Sequence, residues 1–71
     1  MIYMASAWAE YWLLRDGFPD GPPVEVFTGI WQLSADGPWH FQNTVRKALK
    51  AQYPGGLRTV TFGPIGEARH Q

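Results

Sequence analysis

From Pro38 to Tyr53 the apolar residues Phe41, Val45, Ala48, Leu49 and Gln52/Tyr53 recur at steps of three and four, while Arg46, Lys47 and Lys50 point elsewhere. One apolar stripe at this spacing is the pattern of an amphipathic helix. Asp36 or Gly37 can cap its start, Pro38 suits its first turn, and Pro54-Gly55-Gly56 stops it, which predicts a helix over 38–53.

The pattern changes on both sides of that helix. In "LRTVTFGPIG", Leu57, Thr59 and Thr61 alternate with Arg58, Val60 and Phe62, and Gly63-Pro64 ends the run. This predicts a half-buried strand with Val60 and Phe62 toward the helix. Upstream, "VEVFTGIWQL" is rich in β-branched and aromatic residues with Gly29 in its middle, which predicts a strand over 24–33 carrying a bulge or bend.

The segment "AWAEYWLLRDG" admits two readings. Trp8, Tyr11, Trp12 and Arg15 would form a helical stripe closed by Gly17 at the position of a C′ glycine. As a strand, it places Ala7, Ala9, Tyr11 and Leu13 on one face and Trp8, Glu10, Trp12 and Leu14 on the other. Topology favours the strand, because residues 24–62 alone supply two strands and one crossover helix, too little sheet to stand by itself. A strand over 3–15, joined to 24–33 by a long turn through Asp16-Gly17 and Asp20-Gly21-Pro22-Pro23, fills the gap between the other two.

The expected fold is therefore a single small α+β domain of ββαβ order. Its three-stranded antiparallel sheet has the order 2-1-3, counting strands along the chain, and packs against one α-helix. Residues 66–71, "GEARHQ", read as a flexible tail. The alanines of the central strand allow close approach of the helix. Trp8 and Trp12 fall on the face that no second helix covers.

Composition sharpens that last point. A chain of 71 residues buries only about 60% of its unfolded surface, which makes a single core modest. With no cysteine it has no disulfide or thiolate metal site to add, so oligomerisation is the remaining way to extend the core. Hydrophobic residues make up 45% and aromatic residues 15%, with four tryptophans, so disorder is not expected and some aromatic surface should remain for a partner.

Six basic and six acidic side chains cancel, which removes the broad attraction that drives binding to duplex nucleic acid or anionic lipid. No leader-like pattern and no apolar run long enough to span a bilayer is visible, so a cytoplasmic location without a membrane partner is expected.

Candidate chemistry is sparse. His40 and His70 lie thirty positions apart, and no metal or cofactor is expected. The glycines lack the strand–glycine–helix order of a phosphate cradle, and Ser6 and Ser34 lack a nucleophile-elbow context. All three aspartates precede glycine, where they favour chain reversal. No catalytic residue is assigned, and acid–base work by His40 would need pairing with Asp36 or Asp20.

The expected role is thus a non-catalytic protein-interaction module, a homodimer through its sheet or a binder of a host protein. An accessory protein of a phage or mobile element, inhibiting or adapting a larger host complex, has this size and this lack of motifs. The partner-binding residues expected are Trp8, Trp12, Trp31, Phe18, Arg15 and Arg58, with Phe18 offered by the loop after Gly17 unless it folds back on the sheet edge.

The alternative is a single-stranded nucleic-acid-binding module. Trp8, Trp12 or Trp31 would stack on bases while Arg15, Arg58, Arg46 and Lys47 meet phosphates. Zero net charge and the lack of the aromatic-basic strand run of such modules count against it.

Overall fold

The computed structural model describes residues 1–68. In chain order the elements are β1 (Ile2–Tyr11), β2 (Leu14–Arg15), β3 (Phe18–Pro19), β4 (Val24–Ser34), α1 (Pro38–Gln52), β5 (Leu57–Phe62) and β6 (Gly66–Ala68). One helix packs on an antiparallel sheet, so the chain is α+β.

Residues 7–17 are extended and not helical. β1 is the central strand, with β4 antiparallel along its whole length on one side, from Ile2 opposite Ser34 to Tyr11 opposite Val24. Its other side is shared. β5 pairs with Ala7–Tyr11 and β6 with Ile2–Met4, end to end.

The three-stranded 2-1-3 sheet expected from the chain is therefore corrected: among the described residues this sheet has four strands, and two of them occupy one side of β1. β5 and β6 behave as one strand interrupted at Gly63-Pro64-Ile65, because Pro64 has no N–H to give to the ladder. The Gly63 N–H still donates to the Ser6 carbonyl at 2.9 Å and keeps the two halves in line. Gly66–Ala68, expected in a flexible tail, pairs with β1 instead, and the rest of that tail lies outside the described residues.

The expected long turn after the first strand is also corrected. Leu14–Arg15 and Phe18–Pro19 form their own short hairpin, with Arg15 opposite Phe18. Asp16 (φ 52°) and Gly17 (φ 83°) are both left-handed, the conformation of a two-residue type I′ turn, whose twist matches that of the flanking strands. Residues 2–15, extended at about 3.3 Å each, span about 46 Å. That length accounts for the 48 × 16 × 16 Å shape.

The helix begins at Pro38 with Gly37 as an extended N-cap that offers no side-chain oxygen. His40 supplies the missing acceptor one residue earlier: its Nδ1 accepts the Asp36 N–H at 3.1 Å. The helix presents Phe41, Val45 and Leu49, all fully buried, to Tyr3, Ala5, Ala7 and Ala9 of β1. The alanines bring the helix axis close, and Phe41 lies 6.3 Å from both the Tyr3 and Phe62 rings. Among the described residues no helix is long and apolar enough to cross a membrane.

Two bulges set which side chains reach that core. In β4, Ala7 is opposite Gly29 while Trp8 is opposite Phe27, so Thr28 is the extra residue. Its hydroxyl donates to the Ala7 carbonyl at 2.9 Å and accepts the Trp31 indole N–H at 2.9 Å. Gly29 takes φ 114°, a conformation that side-chain-bearing residues rarely adopt. In β5, Thr59 is opposite Glu10 but Leu57 is opposite Tyr11, leaving Arg58 extra. Leu57 therefore joins Val60 and Phe62 on the helix side, whereas strict alternation would place it on the other face.

Candidate functional site

The bulge at Thr28 creates the most distinctive surface of the molecule. Because side chains alternate along a strand, Phe27 and Ile30, three apart, would normally face opposite ways. With Thr28 extra, Phe27 stands opposite Trp8 and Ile30 opposite Ser6, both on the face away from the helix.

Met4, opposite Gln32, lies on that face too. The Trp8 and Phe27 rings meet with centroids 5.3 Å apart and planes tilted 53°, a geometry aromatic pairs favour. Phe27 is 53% exposed and Ile30 67% exposed, so this apolar face is open to solvent.

The distribution along β1 is the reverse of what an isolated sheet would show. Small alanines occupy the covered side, and the bulky Met4 and Trp8 the uncovered one. One end of the open face is polar: the Arg58 guanidinium donates to Glu10 Oε1 and lies 5.6 Å over the Trp12 ring.

The residues expected to bind a partner are distributed over three places. Trp8 and Trp12 stand on the open face, with Arg58 beside Trp12. Trp31 is on the other side, opposite Ala5 and packed against the core, with its indole N–H occupied by Thr28. Phe18 and Arg15 sit together at the hairpin tip, and Phe18 is 73% exposed rather than folded back on the sheet edge. No single surface carries all six.

Phe27 and Ile30 were not singled out in the sequence, because alternation without the bulge puts them on opposite faces, whereas Met4 was passed over although alternation along β1 sets it in phase with Trp8. Gly29 within a β-branched run was the available signal that the phase changes there.

His40 does meet Asp36, with Nδ1 3.7 Å from the carboxylate, but both side chains are exposed and the contact belongs to the helix start. His70 lies outside the described residues. Among the described residues no cluster of three His, Cys, Asp or Glu side chains could hold a metal ion.

A groove of about 610 Å³ lies between α1 and β5. Asn43, Arg46, Lys47 and Lys50 line it from the helix, and Leu57 to Val60 line it from the strand. Comparison of the chain with protein-family models, with curated proteins and with solved structures finds no match.

Proposed function

We propose that this chain is a non-catalytic protein-interaction module that dimerises through the open face of its sheet and serves to inhibit or adapt a larger protein complex. The observation that supports this reading is the inverted distribution on β1 and β4. Met4, Trp8, Phe27 and Ile30 cluster on the uncovered face while alanines line the covered one.

A core whose largest fully buried side chains, among the described residues, are Phe41, Val45 and Leu49 is small, and covering a second apolar face adds the burial that a chain of this size needs. A second copy is the partner always at hand when the chain is made, and two copies of one patch complement each other about a twofold axis.

Sedimentation equilibrium tests the dimer. The chain is expected to run at twice its 8.0 kDa mass, and Ile30→Glu, which places a charge on the open face without touching the core, should return it to monomer with its circular dichroism unchanged. A wild-type chain that stays monomeric at millimolar concentration overturns the dimer.

One observation favours a second reading, the binding of single-stranded nucleic acid: the Arg58 guanidinium over the Trp12 ring puts a phosphate-binding cation beside a stacking surface. Trp12 sits on the open face, while Arg46, Lys47 and Lys50 line the groove on the helix side. Salt-sensitive quenching of tryptophan fluorescence by an oligothymidylate would support this reading, and unchanged fluorescence would remove it.

A further inference from the structure

Zero net charge conceals an uneven distribution. Among the described residues no aspartate or glutamate lines the groove between α1 and β5, whereas Arg46, Lys47 and Lys50 all do. Asn43, Arg46, Lys50 and Tyr53 follow one another at steps of three, four and three, which sets them in a row along the helix beside the strand.

Two groove-lining residues are paired with carboxylates that do not themselves line it, Arg58 with Glu10 and His40 with Asp36. Among the described residues Lys47 and Lys50 make no ion pair. Arg46 is held in position between aromatic rings, 5.8 Å from the Trp39 centroid and 5.3 Å from that of Phe62, contacts that orient its charge without neutralising it.

The opposite wall of the groove is a strand with one side unpaired. β5 pairs with β1, and among the described residues no strand lies on its other side. Backbone N–H and C=O groups along such an edge are a template for another chain. The bulge at Arg58 and the break at Gly63-Pro64 confine this edge to Thr59–Phe62, a short stretch that resists indiscriminate pairing.

We propose that this groove binds an acidic segment of a partner protein in extended conformation. The segment adds as a strand to the free edge of β5, and its carboxylates meet Arg46, Lys47 and Lys50. The proposal takes from the interaction-module reading only that the partner is a protein, and does not depend on the dimer.

The dimensions agree. From Asn43 to Tyr53 the helix rises about 15 Å, the length of about four to five extended residues. A peptide suits the site better than a nucleic acid, because only a peptide backbone offers alternating donors and acceptors to a strand edge. Among the described residues the groove also lacks a stacking platform: no tryptophan or phenylalanine lines it, and Tyr53 is already stacked on Tyr11 at 4.5 Å.

The test is an NMR titration of the ¹⁵N-labelled full chain with a capped octapeptide of alternating glutamate and valine. Saturable shifts and slowed amide exchange are expected at Thr59–Phe62. Affinity should fall roughly tenfold or more in the Lys47→Glu/Lys50→Glu variant, and should weaken as salt is raised.

The same peptide N-methylated at alternate residues keeps its charges but cannot complete the ladder, and should lose a similar factor. Ile30→Glu should bind the peptide as the wild type does, which separates this groove from the sheet face. Absence of shifts at millimolar peptide, equal affinity for the N-methylated peptide, or equally tight binding of an oligothymidylate at the same residues would each overturn the proposal.

Discussion

The Thr28 hydroxyl closes the bulge in β4 by donating to the Ala7 carbonyl at 2.9 Å. Ala7 is fully buried, so water cannot replace a hydrogen bond that its carbonyl loses. The same oxygen accepts the Trp31 indole N–H. A single side chain thus holds the phase change that puts Phe27 and Ile30 on one face.

Thr28→Val keeps the shape and removes both hydrogen bonds. The orphaned carbonyl and indole should cost about 1–3 kcal/mol, read as a lower urea midpoint at unchanged slope. Thr28→Ser, which retains the hydroxyl, should recover most of the loss.

Gly56 is buried where two backbones nearly touch. A Cβ there would lie 2.8 Å from the Trp12 carbonyl oxygen, and the Trp12 N–H is at the same time bonded to the Gly56 carbonyl at 2.8 Å. Neither chain can retreat without breaking that bond. Gly56→Ala should destabilise by about 1–3 kcal/mol, measured by thermal melting, whereas Gly37→Ala, with open space around it, should not produce a comparable drop.

The hairpin tip offers a local counterpart. Gly17 at φ 83° completes the type I′ turn and makes no contact that a Cβ would disturb. Gly17→Ala should therefore cost only about 1 kcal/mol, from backbone strain alone. Because the hairpin projects beyond the core, the effect should appear as faster amide exchange at Asp20, whose N–H bonds the Leu13 carbonyl, with the global midpoint nearly unchanged.

Phe41 is fully buried between Tyr3 and Phe62. Phe41→Ala should cost about 3–5 kcal/mol, a large share of the roughly 4–11 kcal/mol expected for a domain of this length. Loss of the cooperative unfolding transition is the expected result. Phe41→Leu should fold with a lowered midpoint.

Much of the architecture was legible in the residues themselves. The stripe Phe41, Val45, Leu49 named the helix and its buried face, and Pro38 and Pro54-Gly55-Gly56 its ends, because 3.6-residue periodicity and chain breakers act within one or two turns. The alternation of alanine with large side chains gave the two unequal faces of β1 once topology had favoured a strand over the helical reading, since residues 24–62 alone supply too little sheet. Of the candidate surface, Trp8 and Trp12 were legible, Met4 could have been read from the same alternation, and Phe27 and Ile30 could not.

What only the tertiary structure decided is the phase and partnership of the strands. A period of two means that one extra residue inverts every side chain beyond it, and the choice of Thr28 and Arg58 as those residues depends on hydrogen bonds to β1, which local propensity does not contain. Trp31 went to the helix side by that choice, and β6 was recruited from an apparent tail by the vacant half of β1. Likewise, Arg46, Lys47 and Lys50 became one wall of a groove only when the crossover laid α1 beside β5. Charges sum along a chain without regard to position, whereas the field at a site depends on which of them the fold brings together.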